Sequence, residues 1–550
     1  MGFYVNVSKE QTTEKFYTET PLMGHEVLSL SGFKDKDRTM AWRVNRILRP
    51  LSWVVDEDSD VEFVDTTTFE GVEIYRNTLT FILALACRKT VGGDIVVRYS
   101  MRSGYYCELE NKEVTEEDVD LMFSEMKRLV SLSLPIQMAT LPLDKARRIS
   151  IRQGNSDRAN LMRWVGTDPI TMYRCAGIYG YFGGPLAATT GRVLAFDLNY
   201  CAPGFLLRFP SITDPDELPP MDVIPKLMDV FREYSNWLNV LGLSTMDSLH
   251  ERVAMGKSID LILISEAFHS EALLRIANEI MERKDVRLVC LAGPSSSGKT
   301  TTSKRLAIQL QLRGKHPIAL ALDDYYLERK FTPRDENGNY DFEVLEALDV
   351  SLINEHLNAL LAGEEVQIPK YDFVTGSRKP GKRIKLTADD ILIIEGIHGL
   401  NDRLTEDISP SQKYKVFISP LTGTNLDSYN RIGTTDTRLF RRIVRDYRTR
   451  GHNPENTLRM WPSVIKGSHK HIFPYEAGAD TLFNSSLVYE IPVLKGYAEP
   501  LLRAIPESSE EYGEAQRLLS VLSFAPVIPS ENVPNLSILR EFIGGSCFDD

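Results

Sequence analysis

One segment of eight residues constrains this chain more than any other feature of its sequence. Gly293-Pro294-Ser295-Ser296-Ser297-Gly298-Lys299-Thr300 fills every fixed position of the pattern G-x-x-x-x-G-K-[ST], in which backbone N–H groups and a lysine bind phosphate groups. Glycine permits the tight turn, and the N-terminus of the helix that follows favours negative charge. This segment, called the phosphate loop below, predicts a nucleoside triphosphate site.

The residues on either side supply the expected strand and helix. An apolar run at 286–292 predicts a buried strand, and helical periodicity at 301–312 predicts an amphipathic helix. Lys299 is expected to reach the β- and γ-phosphates, and Thr300 is expected to bind Mg²⁺. We therefore predict that the whole loop, together with Thr301, contacts ATP.

Further apolar runs at 318–322, 391–394 and 414–418 follow, separated by helix-like stretches. Such alternation is typical of a parallel sheet that helices cover on both faces. The predicted fold class is therefore α/β, with a doubly wound parallel sheet that carries the phosphate loop. Two smaller α+β domains are expected to precede it.

At 550 residues the chain is too long for a single core. A run of turn-forming residues at 211–220 marks a junction, and helical periodicity follows it. The predicted units are 1–67, 68–210, a helical connector at 211–285, the domain of the phosphate loop at 286–495 and a C-terminal extension at 496–550.

Composition narrows the class of protein. The chain is 43% hydrophobic and 25% charged, as in ordinary globular proteins. Its net charge of −12 argues against nucleic-acid binding by the whole surface, although a local basic face stays open. The six cysteines form no C-x-x-C pair, and no apolar run reaches about 18 residues. We expect a cytoplasmic protein with no membrane segment.

Acidic residues follow two of the predicted strands. Asp323 and Asp324 come directly after the run at 318–322, and Glu395 follows the run at 391–394. Parallel sheets bind ligands at the carboxyl ends of their strands, so one aspartate can serve as the general base and Glu395 can reach Mg²⁺. The alternatives are a turn signal for the acidic pair and a structural role for Glu395.

An arginine-rich stretch at 437–451 is the strongest charge cluster. Arg438, Arg441, Arg442, Arg445 and Arg448 recur at three- and four-residue spacing, so most of them share a helical face. Such a face can close over ATP as a lid and stabilise the transferring phosphoryl group. The alternative is a solvated or RNA-binding basic helix.

Together these motifs resemble the uridine kinase and phosphoribulokinase group of kinases over 286–493. Leu322-Asp323-Asp324-Tyr325-Tyr326 looks like the aspartate-x-x-tyrosine motif of the group, which implies that Asp323 is the base and that Tyr326 neighbours the acceptor. Glu395-Gly396 is similar to its magnesium motif. The resemblance also implies that ATP is the co-substrate and Mg²⁺ the cofactor.

The resemblance extends to the arginine stretch. It implies that Arg441 and Arg445 contact ATP, that Arg438 contacts the acceptor, and that Arg450 is the substrate-facing arginine.

For the acceptor pocket, Tyr371-Asp372-Phe373 and Ser377-Arg378 are similar to a segment that shapes the nucleoside site, which implies roles for Tyr371 and Arg378. Asp341 and Glu343 are both candidates for holding ribose hydroxyls. Gly376 and Met460 stand where uridine kinases carry a base-reading histidine and glutamine. Recognition of a pyrimidine is therefore not expected to follow the family pattern.

The first 210 residues resemble the N-terminal region of threonyl-tRNA synthetase, a ubiquitin-like domain followed by an editing-type domain. The landmarks are Gly104-Tyr105-Tyr106, Gly184-Pro185 and Thr190-Gly191. Asn77, Phe81 and Leu186 stand where its histidine ligands would be, and these side chains cannot replace imidazole. We expect a retained fold without zinc or deacylase activity.

The leading hypothesis is a kinase that transfers the γ-phosphoryl group of ATP to a primary hydroxyl, most simply the 5′-hydroxyl of a nucleoside. A rival is a sugar or sugar-phosphate kinase on the same scaffold. A third reading, from another class, is an ATP-regulated tRNA-binding protein. The sequence fixes neither the acceptor nor the nucleotide base, and a homo-oligomer is compatible with it.

Overall fold

The computed structural model describes residues 2–9, 12–33, 36–101, 103–110, 112–166, 168–212, 214–221, 224–334, 338, 340–372 and 375–548. Its first unit is a five-stranded sheet of order β2-β1-β7-β4-β5, in which β1 and β7 run parallel. A small β3-β6 pair and one helix complete it. The elements are β1 Phe3–Lys9, β2 Thr12–Thr18, β3 Leu22–Met23, α1 Gly24–Leu30, β4 Thr39–Val44, β5 Ile47–Pro50, β6 Val54–Val55 and β7 Ser59–Asp65.

The second unit holds two antiparallel sheets, β13-β14-β9-β8 and β10-β11-β12. The Thr115 hydroxyl and the Asp118 carboxylate form a capping box at the start of α3. The elements are α2 Phe69–Thr90, β8 Ile95–Met101, β9 Gly104–Leu109, α3 Glu116–Ser131, β10 Gln137–Leu141, α4 Leu143–Arg152, α5 Ser156–Leu161, β11 Ile170–Cys175, β12 Ile178–Gly180, β13 Asp197–Cys201 and β14 Gly204–Arg208.

The rest of the chain is built on a five-stranded parallel sheet of order β16-β19-β15-β20-β21. Its elements, with an antiparallel β17-β18 ribbon, are α6 Pro225–Leu241, α7 Met246–Ala254, α8 Ser258–Glu282, β15 Leu288–Ala292, α9 Lys299–Gln311, β16 His316–Ala321, α10 Val350–Leu361, β17 Glu365–Asp372, β18 Ser377–Lys385, β19 Asp390–Glu395, β20 Lys413–Ser419, α11 Thr434–Thr449, α12 Pro454–His471, β21 Thr481–Asn484, α13 Glu490–Arg503, α14 Tyr512–Ser523 and α15 Arg540–Ile543.

Both faces of this sheet are buried, as the predicted α/β class requires. Along β15, Val289 and Leu291 belong to one apolar cluster, while Leu288 and Cys290 belong to another. Successive side chains of a strand point to opposite faces, so a continuous apolar run serves a sheet that is covered on both sides. Among the described residues, no helix combines the length and apolarity that crossing a bilayer requires.

The structure differs from the predicted boundary between 495 and 496. Helix α13 runs across that position. Leu518 and Phe542, from the predicted extension, are fully buried in the same apolar cluster as Val289 of the central strand. The C-terminal residues therefore form part of the core around the sheet, because their apolar side chains supply its cover.

A buried polar network joins the second unit to the segment between β20 and α11. Arg158 Nε lies 3.2 Å from Asp427 Oδ2, and neither side chain is more than 1% exposed. The backbone N–H of Ser428 donates to Asp157 Oδ2 at 2.8 Å, and the Tyr429 hydroxyl donates to Asp94. Breaking such a pair leaves a buried charge without a partner, so these contacts fix the segment that leads into α11.

Helix α8 carries a buried histidine whose protonation opposes folding. His269 is 1% exposed, and its Nε2 lies 2.8 Å from the carbonyl oxygen of Ser486. Burial, helped by the nearby Arg305 charge, lowers the pKa of His269 from 6.5 to about 4, against the opposing effects of Glu266 and the Ser486 carbonyl. The unfolded chain therefore binds this proton at a higher pH than the folded one.

We predict that His269→Gln reduces the loss of stability on acidification. As pH falls from 6.5 to 4, the wild type loses up to about 3 kcal/mol through this group, and the full contribution returns above pH 6.5. Thermal unfolding of both proteins at pH 5 and pH 7.5 measures the effect. An equal acid-induced drop in melting temperature in both proteins would contradict it.

Candidate active site

The phosphate loop leaves the carboxyl end of β15 and leads directly into α9. A Cβ atom on Gly293 would lie 2.1 Å from the carbonyl oxygen of Ile418, so only glycine fits beside β20. Ser296 and Gly298 have φ values of 63° and 87°, in the left-handed region that glycine favours. The loop thus adopts a compact turn, with Ser296 and Ser297 buried.

Lys299, Thr300 and Glu395 meet at one edge of the sheet. Lys299 Nζ donates to the carbonyl oxygen of Pro294 at 3.3 Å. The Thr300 hydroxyl donates to Glu395 Oε1 at 3.1 Å. Glu395 ends β19, which lies between β15 and β16. Parallel strands end at the same edge, which explains why residues 95 positions apart come together.

The donors at this edge fit Mg²⁺. Hydroxyl and carboxylate oxygens are its preferred protein ligands, and water and phosphate oxygens usually fill the other positions. Thr300 and Glu395 provide one of each. The described part of the chain contains no group of three or more His, Cys, Asp or Glu side chains that could hold a metal. A bound ion would therefore take its other ligands from water and phosphate.

The two aspartates after β16 have different surroundings. Burial raises the pKa of Asp323, and the nearby Lys299 ammonium opposes that rise. Asp324 Oδ1 instead accepts a hydrogen bond from the backbone N–H of Tyr371 at 3.2 Å and lies 3.4 Å from Lys370 Nζ. Asp324 thus links β17 to the end of β16. Asp323 instead interacts electrostatically with Lys299 and Glu395, and these three residues are called the charged cluster below.

The charged cluster has opposed electrostatic demands. Burial, together with the negative charge of Asp323, raises the pKa of Glu395 to about 7, and the Lys299 ammonium opposes the rise. Burial also lowers the pKa of the Lys299 ammonium. Fixed charges in a partly desolvated site act more strongly than they would in water. The pocket can therefore stabilise the charge of a bound phosphoryl group and its counter-ion.

An aromatic cluster lies next to Asp323. The ring centroid of Tyr326 is 5.5 Å from that of Phe342 and 5.7 Å from that of Tyr371. Burial raises the pKa of the Tyr326 hydroxyl, and the carboxylates of Asp323 and Glu343 raise it further. The Tyr326 hydroxyl is therefore within electrostatic reach of two carboxylates.

Asp341 and Glu343 also have different environments. Glu343 Oε2 is buried without a hydrogen-bond partner among the described residues. Burial raises the pKa of Glu343, while Arg442 and Arg438 lower it. Asp341 Oδ1 accepts from the backbone N–H of Glu343 at 2.9 Å. Asp341 therefore shapes the turn, and Glu343 presents its carboxylate towards the arginines.

Arg378 has a partner away from the charged cluster. Its Nη1 donates to Asp349 Oδ2 at 3.0 Å, and the Asp349 side chain also caps α10. This ion pair anchors the β17-β18 ribbon to α10. Of the motif around Tyr371, Phe373 lies outside the described residues.

The two positions expected to read a base hold neither of the family's side chains. Gly376 has a φ of 66°, and a Cβ atom there would lie 2.8 Å from the Cβ of Arg329. Arg329 therefore fills the space that a side chain at 376 would need, a feature without a sequence signal. Met460 lies on α12 and is 43% exposed.

The arginine-rich stretch forms α11, but the prediction of a lid is wrong. Leu439, Phe440, Ile443 and Val444 are at most 1% exposed. An apolar stripe of this kind packs the helix into the core. Helix α11 therefore lies behind the phosphate loop as a fixed element.

Arg441 differs most from its predicted ATP contact. Its Nε and Nη2 donate to Glu490 Oε2 at 2.8 and 2.5 Å. Its Nη2 also donates to the carbonyl oxygen of Ser485, and its Nη1 to that of Ser296 at 3.3 Å. The guanidinium is fully buried. Its donors are used by Glu490 and by carbonyl groups, so Arg441 supports the loop from behind.

Two neighbouring arginines support the same loop. Arg438 Nε donates to the carbonyl oxygen of Ser295 at 2.9 Å, and Arg442 Nη1 donates to its hydroxyl at 2.9 Å. Their guanidinium carbons lie 5.2 and 5.9 Å from the ring centre of Trp461. Arg438 also lowers the pKa of Glu343, so its charge acts on a residue that was predicted to bind the acceptor.

Arg445 and Arg450 lie at the end of α11. Arg445 Nη2 is 2.8 Å from Asp446 Oδ1, and Arg450 Nε is 3.7 Å from the same atom. Both arginines lower the pKa of Asp323. Arg450 is the more exposed, at 44% of its side chain. The structure therefore brings both cations near the candidate base.

One further contact at the loop had no signal in the sequence. Glu541, in α15, accepts hydrogen bonds at Oε2 from the backbone N–H of Thr301 at 3.2 Å and from its hydroxyl at 2.9 Å. Thr301, which was predicted to contact ATP, is thus engaged by a carboxylate from 240 residues along the chain.

Comparison of the sequence with known proteins gives matches to kinases over the residues that form the parallel sheet and the phosphate loop. The family model described as "Phosphoribulokinase / Uridine kinase family" matches residues 288–491. A uridine kinase of Brevibacillus brevis is 30% identical over 36% of this chain and 83% of its own length. A uridine kinase of Halobacterium salinarum is 28% identical over 35% of this chain and 77% of its own length.

Among solved structures, D-glycerate 3-kinase from Cryptococcus neoformans aligns with a TM-score of 0.26 at 14% identity, over 38% of this chain and 89% of that one. The sequence matches lie on the parallel sheet, the phosphate loop and α11. Through residues 288–491, this chain belongs to the phosphoribulokinase/uridine kinase family.

Proposed function

We propose that this chain transfers the γ-phosphoryl group of ATP to a primary hydroxyl of a small molecule, most simply the 5′-hydroxyl of a nucleoside. Family membership supports an ATP-dependent kinase that acts on a small-molecule hydroxyl. The convergence of Lys299, Thr300, Glu395 and Asp323 at one sheet edge carries the proposal. Phosphoryl transfer needs a cationic group, metal ligands and a proton acceptor in this arrangement.

In the proposed reaction, Asp323 accepts the proton of the acceptor hydroxyl. The acceptor oxygen then bonds to the γ-phosphorus, and the bond from that phosphorus to the ADP oxygen breaks. Lys299 and Arg450 stabilise the negative charge that spreads over the phosphoryl oxygens. Thr300 and Glu395 would hold Mg²⁺, which neutralises phosphate charge when it is bound.

The curated relatives are uridine kinases, which favours a nucleoside acceptor. Of the two carboxylates, Glu343 is the better candidate to bind the hydroxyl groups of the nucleoside. Glu343 Oε2 has no partner among the described residues, whereas Asp341 accepts a hydrogen bond within a turn. Arg329 occupies the space next to Gly376. A guanidinium presents donors only, so we propose that the base is read differently from the family pattern.

We propose further that residues 1–210 have the fold of the N-terminal region of threonyl-tRNA synthetase without its metal chemistry. A five-stranded sheet with one helix supports a ubiquitin-like first domain. At the former ligand positions, Phe81 and Leu186 are fully buried, and Phe81 contacts Phe182 edge-on at 5.7 Å. Apolar side chains fill the place where ligands would be needed.

A coupled assay of ADP release across nucleosides and sugars tests the function itself. We predict turnover with a free small acceptor, without a preference for uridine or cytidine of the 10⁴-fold or more that a site hydrogen-bonded to the base can provide. Comparing kcat/KM for uridine, cytidine, adenosine, guanosine, inosine and a sugar panel measures this. A pyrimidine nucleoside that exceeds every other acceptor by that margin would contradict the argument from Gly376 and Met460.

We predict that Asp323→Asn lowers kcat by about 10²- to 10⁴-fold, because an amide cannot accept the proton. Asp324→Asn is the matched control: it alters a tie to Tyr371 and Lys370 and leaves the proton acceptor in place. Steady-state kinetics at saturating acceptor compare the two variants. A larger loss of kcat in the Asp324 variant would move the role of the base to that residue.

We predict that Glu343→Gln raises KM for the acceptor by about tenfold or more, the effect of losing one charged hydrogen-bond acceptor. The KM for ATP should stay near the wild-type value. Asp341→Asn serves as the control, since its side chain bonds to a backbone N–H two residues away. If the Asp341 variant alone raised the acceptor KM, the assignment of the two carboxylates would be reversed.

A further inference from the structure

The C-terminal residues 530–548, called the C-terminal cover below, pack directly on the phosphate loop. A Cβ atom on Gly298 would lie 2.4 Å from Cγ2 of Ile538. Ile538, Leu539 and Phe542 are fully buried. Arg448 Nη1 donates to the carbonyl oxygen of Phe542 at 2.8 Å. The backbone of the cover is therefore anchored in the core beside the loop.

The cover places one anionic side chain on the first turn of α9. Glu541 Oε2 accepts from both the N–H and the hydroxyl of Thr301. A helix N-terminus that follows a phosphate loop offers these donors to an anionic ligand. The negative charge of Glu541 also raises the pKa of Lys299 and of Glu395, which places it within electrostatic reach of both catalytic candidates.

We propose that Glu541 is an internal competitor of the nucleotide and occupies, in the free protein, donors that a phosphate group of ATP must use. The proposal rests on the proposed function, since it assumes that the loop binds a nucleoside triphosphate. Binding then requires the Glu541 side chain to rotate away while Ile538, Leu539 and Phe542 stay buried. The apparent dissociation constant of ATP then equals the intrinsic constant divided by the fraction of molecules in which Glu541 has released Thr301.

A purely structural role for Glu541 gives different results. An acidic side chain near a helix N-terminus stabilises the helix whether or not a ligand binds. Removing such a cap lowers the melting temperature and leaves nucleotide affinity unchanged. Removing a competitor also lowers the melting temperature of the free protein, but in addition it strengthens the binding of phosphate groups.

The test uses the full chain with Glu541→Gln, which keeps the shape of the side chain and removes its charge. Glu531→Gln, an exposed position in the same cover, is the matched control. Calorimetry measures the dissociation constants of ATP, tripolyphosphate and adenosine at fixed salt. We expect Glu541→Gln to bind ATP and tripolyphosphate about tenfold more tightly, the scale of one charge-assisted hydrogen bond. Adenosine binding and the control should match the wild type.

Two results would overturn the inference. One of them leaves the proposed function standing, and the other rejects it too. Equal or weaker ATP and tripolyphosphate binding by Glu541→Gln, with wild-type binding abolished by Lys299→Ala, rejects the competitor and leaves the proposed function standing. No measurable binding of ATP or tripolyphosphate by either the wild type or Glu541→Gln rejects both. Thermal unfolding of each variant verifies that it is folded.

Discussion

The phosphate loop depends on a buried ion pair behind it. Arg441 donates to Glu490 and to carbonyl groups of Ser296 and Ser485, with no exposed surface. Removing one partner of such a pair leaves an unpaired buried charge, which typically costs about 3 to 5 kcal/mol. The loop itself contains glycine and a strained serine, so it needs this external support. Its shape is therefore set by α11 and α13 as much as by its own residues.

The second unit adds a constraint on the same helix. Its residues Asp94, Asp157 and Arg158 hold the segment that enters α11. Because α11 carries Arg438, Arg441 and Arg442 against the loop, the N-terminal part of the chain is mechanically connected to the nucleotide site. Such a connection transmits an effect only if the helix has two arrangements.

The sequence was sufficient for the features that depend on local patterns. The apolar runs at 286–292, 318–322, 391–394 and 414–418 identified four of the five strands of the sheet, because a parallel strand buried on both sides has a distinctive composition. The loop motif predicted a helix directly after the loop, and α9 begins at Lys299. Glu395 was predicted at the same sheet edge because it follows an apolar run, and its carboxylate accepts a hydrogen bond from the Thr300 hydroxyl.

Features that depend on long-range contacts could not be predicted in this way. Arginines at helical spacing indicate a charged face, so the burial of Arg441 against Glu490 contradicted the simplest interpretation. Asp324 and Asp323 are adjacent in the sequence, and tertiary contacts distinguish them: Asp324 bonds to Tyr371 and pairs with Lys370. Glu541 and Thr301 are 240 positions apart, and no local sequence pattern predicts their contact.

The cover of the parallel sheet has a consequence for what counts as one folding unit. The family match ends at residue 491, yet Leu518, Ile538 and Phe542 lie in the same apolar cluster as Leu291 and Ile393 of the central strands. A fragment cut to the outline of the family would leave that face of the sheet open to water. The helices beyond residue 491 therefore cannot be removed without exposing apolar core side chains. The residues that match the family and the C-terminal residues form a single unit of folding.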